Sequence, residues 1–301
     1  MTGRRGTAVA TALLLAALAA AGCGLGPGAD VGDVGLTVTR EFGAEPVLDR
    51  SLAAKESDTV MRLLEGEADV ETRYGGGFVH AIDGVAEGQR DGDSYDWFFY
   101  VDGVESPIGA AEYELDGGEQ VWWDYRDWSA TNHVPAVVGS WPAPFAEGIG
   151  GKRHPVALEC AEPQPCDAAL RALEHAEVTL TSGEPEKAIR VLVGTWDELR
   201  SDPTARLIEE GPAESGVFAD FDAGKLVGLD EGGAPARSFA PDTGLVAATS
   251  RYGGLPVWVV TGATPAAVRN AAEALDAEHL RDHYAVAVEN GKSTPLPLEG
   301  R

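Results

Sequence analysis

Two short segments dense in aromatic side chains constrain the fold of this chain most. Residues 96–103 read DWFFYVDG and residues 121–125 read VWWDY, although only 7% of the chain is aromatic. Successive side chains of a β-strand point to opposite faces of a sheet, so the two strands carry aromatic rings on both faces. Large apolar faces are rarely left in water. The sequence therefore predicts a sheet whose two faces both need a cover.

The alternation assigns the rings to faces. Trp97, Phe99 and Val101 share one face of the first strand, and Val121, Trp123 and Tyr125 share one face of the second, opposite Trp122. A helix predicted over residues 57–65, with Ser57 or Asp58 as its N-cap, would cover one face of the sheet. The other face would be covered by the linker and the second half of the chain, or by a ligand, and the sequence leaves both possibilities open.

The N-terminus has the pattern of an exported bacterial lipoprotein. Arg4 and Arg5 precede an apolar run at residues 8–21, which is too short to cross a bilayer. Residues 20–23 read AAGC and resemble a lipobox, in which Cys23 is lipidated and becomes the new N-terminus. We predict a signal peptide over residues 1–22, a palmitate-type anchor on Cys23 and a position on the extracytoplasmic face of the cell membrane. Cleavage nearby, with Cys23 an unmodified thiol, is the alternative.

The charge balance narrows the class of partner. The formal net charge is −26, and removal of residues 1–22, which hold two arginines and no acid, makes it more negative still. Such a charge repels nucleic acid and anionic lipid head groups. We therefore expect no nucleic-acid partner and contact with the membrane only through the N-terminal lipid.

Two cysteines remain in the predicted mature chain after Cys23. Cys160 and Cys166 enclose the sequence AEPQP, whose prolines favour a bend. In an exported protein two cysteines usually pair, so we predict a local disulfide between them. A catalytic thiol or a pair of metal ligands is the alternative.

Composition and turn signals divide the chain after the signal peptide into four parts. They are a flexible tether at 23–34, a small α+β domain at 35–128, a linker rich in proline and glycine at 129–154, and an α/β domain at 155–298. Trp141 and Phe145 in the linker predict that it packs against a domain.

Several local elements are predicted as well. Residues 35–42 alternate like an edge strand, and residues 222–224 (DAG) predict a hairpin turn. Three helices are predicted: 167–176 capped by Asp167, 196–207, and 264–275 with Thr264 as N-cap and Pro265 at its first position.

The first domain resembles a known family. Residues 74–84 (YGGGFVHAIDG) and the stretch 96–128 are similar to the transcobalamin-like C-terminal domain of bacterial surface proteins, also called DUF4430. The matching motifs are Tyr100-Val101-Asp102-Gly103, Gly109, and Tyr113 through Leu115 to Gly118-Glu119. The resemblance implies a β-grasp-like ligand-binding domain, and the whole layout resembles actinobacterial DUF4430 lipoproteins.

The resemblance also implies a site. In the vertebrate cobalamin carriers this domain closes over the vitamin, and residues 106–109 match the stretch that lies against the corrin ring. The resemblance thus implies Pro107, Ile108 and Gly109 as ligand-binding residues. The strand residues Trp97, Phe99, Trp122 and Trp123 join them as candidates because a ligand is one of the two possible covers for the aromatic sheet. The large helical barrel of those carriers has no counterpart in this sequence, so the resemblance implies a ligand-binding domain more directly than it implies cobalamin.

The sequence contains no common catalytic motif. His279 and His283 have the spacing of two metal ligands on a helix but no evident third ligand other than Glu278 or Asp282. We therefore expect no enzymatic activity, no metal and no cofactor, with cobalamin as a possible ligand. The predicted function is capture of a corrinoid or similar small molecule for an envelope transporter. The alternative is a structural or protein-interaction module of the cell envelope.

Overall fold

The computed structural model describes residues 28–181 and 187–300, so the predicted signal peptide and Cys23 lie outside the described part. The α-helices are α1 Val60–Glu67, α2 Ala143–Ala146, α3 Pro163–His175, α4 Trp196–Leu199, α5 Pro212–Ser215, α6 Pro265–Glu273 and α7 Ala277–Leu280. Among these described helices, none combines the length and apolar character that a membrane span needs.

The first domain is built on one twisted sheet. Its strands are β1 Asp30–Arg40, β2 Glu45–Lys55, β3 Val70–Arg73, β4 Phe78–Ile82, β5 Val85–Ala86, β6 Gly88–Arg90, β7 Asp93–Val101, β8 Val104–Glu105 and β9 Gln120–Asp127. The main sheet has the order β2-β1-β9-β7-β6, with β8 on β7, while β3, β4 and β5 form a small second sheet. Strands β1 and β9 are parallel and the other pairs are antiparallel. Together with α1 across one face, this arrangement confirms the β-grasp-like prediction.

The position of β1 differs from the prediction of an edge strand. It is hydrogen-bonded to β2 on one side and to β9 on the other. Its first residues, which the sequence placed in the tether, pair with the end of β2, as in Val34 opposite Leu52. The hairpin partner β2 was missed because its sequence, EPVLDRSLAAK, does not alternate, and most of it is exposed.

Helix α1 begins slightly later than predicted. Thr59 is its N-cap and accepts a hydrogen bond from the Arg62 N–H at 3.3 Å. Asp58, one of the two predicted caps, instead accepts from the Lys55 N–H at 2.9 Å, which closes the turn before the helix. The buried side of α1, including Val60 and Leu64, packs on the main sheet.

The second domain is a mixed six-stranded sheet with a small three-stranded sheet beside it. Its strands are β10 Val156–Cys160, β11 Ile189–Val193, β12 Ala219–Asp222, β13 Lys225–Leu229, β14 Pro235–Ser238, β15 Gly244–Thr249, β16 Val257–Gly262, β17 Ala285–Glu289 and β18 Lys292–Leu296. The order is β10-β11-β16-β15-β17-β18, with parallel pairing only among the first three. Helices α3 and α6 cover one face, and α4 and the small sheet cover the other. This agrees with the predicted α/β class.

The helix predicted over residues 196–207 is wrong as a continuous element. Helix α4 ends at Leu199, and a 3-10 helix follows at Ala205–Glu210. Asp202 between them accepts hydrogen bonds from the Thr204 and Ala205 N–H groups at 2.9 and 3.0 Å, so it starts a new turn. Local capping therefore interrupts the apolar period that suggested one helix.

Three other predictions about helices and turns had different outcomes. Helix α3 begins at Pro163 rather than Asp167, because a proline is well suited to the first helical turn. Helix α6 has the predicted N-cap, since the Thr264 hydroxyl accepts from the Ala267 N–H at 3.2 Å. The hairpin of β12 and β13 is also confirmed, and its turn residues Ala223 and Gly224 have φ angles of 47° and 72°.

The linker packs into the core of the second domain, and the disulfide links two of its elements. Trp141 and Phe145 lie in its core, with ring centroids 5.6 and 5.0 Å from that of Trp258 on β16, which confirms the predicted packing. Cys160 at the end of β10 and Cys166 in α3 form the predicted disulfide, with Cα atoms 5.6 Å apart.

Candidate functional site

One face of the first sheet forms the core of its own domain. The predicted alternation is correct: Trp97, Trp123 and Tyr125 all lie in the cluster beneath α1. Trp123 stacks on Phe99 with centroids 4.9 Å apart, and the Trp97 indole N–H donates to the Val85 carbonyl at 2.8 Å. These rings are therefore held in place by neighbours within the domain.

The opposite face is covered by the linker and the second domain. We call this contact the interdomain cluster; it consists of Phe42, Tyr100, Trp122, Val134, Val137, Phe218, Val227, Leu229 and Tyr284. Tyr284 is central, with its ring centroid 5.1 Å from Phe42, 5.7 Å from Tyr100 and 5.3 Å from Trp122. The linker and the second domain therefore cover this face of the sheet at Trp122.

A hydrogen-bonded carboxylate joins the two domains within this cluster. Asp124 of β9 is fully buried and accepts from the Thr39 hydroxyl at 2.6 Å, the Gly43 N–H at 3.2 Å and the Tyr284 hydroxyl at 3.0 Å. The Thr39 hydroxyl in turn accepts from the Trp122 indole N–H at 2.7 Å. Burial raises the pKa of Asp124, while these three donors favour its ionised form.

The first sheet also carries a small cavity, which we call the aromatic pocket. Its volume is about 210 Å³. It is lined by Gly77, Phe78, Val79, Asp96, Trp97, Phe98, Phe99, Glu105, Ser106, Gly109, Ala110 and Trp123. The pocket lies between β4, β7 and the loop after β8, so the β-grasp topology brings together residues that are distant in sequence.

The structure brings together four of the seven predicted ligand-binding residues. Trp97, Phe99, Gly109 and Trp123 border the aromatic pocket. Pro107 and Ile108 lie in the same loop as Gly109 but outside the lining, and Ile108 is 44% exposed. Trp122 is separated from the others because it points into the interdomain cluster.

One polar group at the pocket has no partner. The Trp123 side chain is 2% exposed, and its buried indole N–H finds no acceptor among the described residues. The other two tryptophans of these strands both donate to protein oxygens. A buried donor without an acceptor costs about 1–3 kcal/mol, so it calls for an explanation such as a bound acceptor.

Two carboxylates line the same pocket. Burial raises the pKa of Asp96 to about 6, although the Trp97 N–H donates to it at 2.7 Å. Burial also raises the pKa of Glu105, which pairs with His133 and accepts from the Val134 N–H at 3.0 Å. The pocket therefore combines aromatic walls, one of them the ring whose buried N–H lacks an acceptor, with two carboxylates that already accept hydrogen bonds.

The sequence reasoning missed part of this lining. Phe78 and Asp96 border the pocket but were not among the predicted residues. Asp96 directly precedes the aromatic run, which was the available signal, whereas Phe78 reaches the pocket only through the packing of the small second sheet. Within the described residues, no group of three or more His, Cys, Asp or Glu side chains is arranged to hold a metal ion.

Comparison with known proteins agrees with the motifs of the first domain. A family model described as a domain of unknown function, DUF4430, matches residues 57–127. No curated protein matched the chain. The matched segment starts just before α1 and ends with the last residue of β9, so it contains every residue that lines the aromatic pocket. The β-grasp-like domain at the N-terminal side of this chain therefore contains a segment, residues 57–127, that matches the DUF4430 family model.

Proposed function

We propose that this chain is a lipid-anchored extracytoplasmic protein that binds a small, partly apolar molecule at the aromatic pocket and passes it to an envelope transporter. The observation that carries the proposal is the Trp123 indole N–H, which is buried at the pocket without an acceptor. Aromatic walls with a few polar groups are typical of small-molecule sites.

The polar groups of the pocket select the chemistry of the ligand. A primary carboxamide fits them, because its carbonyl oxygen can accept from the Trp123 N–H while its NH₂ group donates to Asp96. Phe99, stacked on Trp123, supplies an apolar surface for the rest of the molecule. A ligand that carries carboxamides on an apolar framework is therefore favoured.

A corrinoid is the leading candidate by this criterion. Carboxamide side chains surround its macrocycle, so one of them could enter the pocket while the ring lies outside. A pocket of about 210 Å³ is smaller than most drug-sized sites and accommodates a peripheral group rather than the whole ring. The exposed Ile108 beside it would then contact the ring from outside.

The test is a titration of the detergent-purified chain with hydroxocobalamin, followed by absorbance and by co-elution. Trp123→Phe removes the N–H but keeps the aromatic stacking, and we expect it to weaken binding by about tenfold, as for loss of one buried hydrogen bond. Trp128→Phe is the control, because Trp128 follows β9 but is 39% exposed and lies outside the pocket. Equal binding by the two variants, or no binding by the unchanged chain, would count against the proposal.

A second function is favoured by the surroundings of the pocket. Tyr74 is 87% exposed and its ring lies 6.1 Å from that of Phe78, so the pocket mouth has an exposed aromatic neighbour. A cavity of this size also fits a single apolar side chain of a protein partner. The protein-interaction module is therefore the alternative, and a Tyr74→Ala change that abolishes capture of an envelope protein while leaving hydroxocobalamin binding unchanged would favour it.

A further inference from the structure

The linker runs alongside one wall of the aromatic pocket. Strand β8 contributes Glu105 to the lining of this pocket, and linker residues 134–137 lie beside the strand. The Glu105 N–H donates to the Pro135 carbonyl at 3.2 Å. The Val137 N–H donates at 2.8 Å to the carbonyl of Gly103, which directly precedes β8. These backbone bonds fix the position of the wall that carries Glu105.

The linker also holds the side chain of Glu105. The Val134 N–H donates to Oε2 of its carboxylate at 3.0 Å, and His133 Nδ1 pairs with the same oxygen. The Glu105 side chain is 20% exposed, and among the described residues no hydrogen bond to its other oxygen, Oε1, is found. Each oxygen of an ionised carboxylate accepts about two hydrogen bonds, so Oε1 is available to a donor on a ligand.

Two basic side chains favour the ionised form of Glu105. Burial raises its pKa, while His133 and the fully buried Arg126 of β9 oppose this effect. The Arg126 guanidinium donates to two backbone carbonyls, at 3.1 and 2.9 Å, rather than to Glu105. Asp96 is the other acid of the pocket, and none of the described residues that line it is a lysine, arginine or histidine. A ligand in the pocket therefore meets two carboxylates and no cationic side chain.

This arrangement discriminates between two chemical groups of nearly the same shape. A primary carboxamide has two N–H donors, which can bind Asp96 and Glu105, and a carbonyl oxygen that can accept from the Trp123 N–H. A carboxylate has the same size but no donor, and both acids repel its charge. Uncompensated like charges are a common means by which a protein rejects the wrong ligand. The pocket should therefore bind a carboxamide and reject the acid from which it derives.

We propose that Glu105 is the specificity-determining residue of the aromatic pocket, where it selects a neutral primary carboxamide against the corresponding carboxylate, and that His133 is a positioning residue that orients it. This inference rests on the proposed function, because it takes the aromatic pocket as the ligand site. It adds a role for the linker, since His133 and Val134 lie outside residues 57–127, which match the family model. Among ligands that differ only in these groups, the pocket prefers the amidated one.

The test compares propionamide with propionate, two molecules that differ only in this group. Binding is followed by NMR of the full, detergent-purified chain with isotope-labelled tryptophan, and Trp123→Phe identifies the Trp123 indole signal. At neutral pH we expect propionamide to bind at least about tenfold more tightly than propionate. Glu105→Gln should reduce this preference to below about threefold, chiefly because propionate binds more tightly to the variant.

Glu112→Gln is the matched control for this change. Glu112 is exposed and lies outside the aromatic pocket, and its substitution alters the net charge as much as Glu105→Gln does. It should leave the preference unchanged, which separates the charge in the pocket from the charge of the whole protein.

His133→Ala supplies a readout that a purely structural role would not move. The His133 side chain is 54% exposed, so the variant is expected to fold. Because His133 favours the ionised form of Glu105, its loss raises the pKa of Glu105 further. On acidification, the preference for propionamide should therefore disappear at a higher pH than in the unchanged chain. Asp96 is present in both proteins and does not affect this difference, and His175→Ala, at an exposed histidine outside the pocket, should keep the unchanged profile.

Five results would overturn the inference. They are equal binding of the two molecules to the unchanged chain, no change of the Trp123 signal with propionamide, an unchanged preference in Glu105→Gln, equal losses in Glu105→Gln and Glu112→Gln, and an unchanged pH profile in His133→Ala. Circular dichroism checks the folding of each variant, and the profile of His133→Ala decides should Glu105→Gln fail to fold.

Titration with hydroxocobalamin separates this result from the proposed function. If propionamide is selected through Glu105 but hydroxocobalamin does not bind, the corrinoid proposal fails and the role of Glu105 stands. If hydroxocobalamin binds and Glu105→Gln keeps the preference for propionamide, only the role of Glu105 fails.

Discussion

Tyr284→Phe tests whether a hydrogen bond, in addition to the packing of aromatic rings, stabilises the contact between the second domain and the first sheet. The change removes the hydroxyl that donates to Asp124 at 3.0 Å, while the ring keeps its contacts with Phe42, Tyr100 and Trp122. A hydrogen bond to a charged group contributes about 1.5–3 kcal/mol. Asp124 is fully buried and water cannot replace the lost donor, so we expect the free energy of unfolding to fall by about 2 kcal/mol.

The loss should depend on pH with a defined sign. Burial already raises the pKa of Asp124 above its value in the unfolded chain, so its ionisation lowers stability as pH rises. Removing the Tyr284 hydroxyl withdraws a donor that favours the ionised form and raises this pKa further. The difference between Tyr284→Phe and the unchanged protein should therefore grow from acidic to neutral pH.

The assay is urea unfolding followed by tryptophan fluorescence and by circular dichroism, since the two probes report whether the domains unfold together. Tyr252→Phe is the matched control, because this hydroxyl belongs to a fully exposed side chain and its removal should leave stability unchanged. A change below about 0.5 kcal/mol in Tyr284→Phe, which is typical of surface substitutions, would refute the argument that this bond stabilises the domain contact.

Two further changes test other parts of the structure. Asp102 is 1% exposed and accepts a hydrogen bond from the Gln120 N–H at 2.8 Å, and burial raises its pKa to about 8. Because the folded form keeps a proton that the unfolded form releases near pH 4, the protein loses up to about 1.4 kcal/mol of stability per pH unit between pH 4 and 8. Asp102→Asn should remove this loss, as measured by urea unfolding across that pH range. A pH profile identical to that of the unchanged protein would contradict this account. Gly43→Ala should destabilise the protein by at least about 3 kcal/mol in a thermal or urea melt, because the added Cβ would lie 1.7 Å from the Asp282 carbonyl oxygen and the φ angle is +86°. Gly75→Ala is the control, since Gly75 has a similar φ of +78° but open space around it. This change should cost only the backbone strain of about 1 kcal/mol.

The candidate site was only partly predictable. The two-residue period of a strand placed Trp97 with Phe99 on one face of β7 and put Trp123 and Trp122 on opposite faces of β9, which the structure confirms. It could not place Phe78 or Asp96 at the aromatic pocket, because that pocket forms where a separate small sheet meets β7.

By itself the sequence determined the features that depend on neighbouring residues. The disulfide Cys160–Cys166, the Thr264 cap and the Ala223-Gly224 turn each involve positions a few residues apart, so local geometry is enough to specify them. Only the tertiary structure decided that β1 is a central strand, and that the linker and second domain cover the face bearing Trp122 and Tyr100. Burial of these rings depends on contacts between segments more than a hundred residues apart, such as Trp122 with Tyr284, and no local pattern encodes which distant surface supplies them.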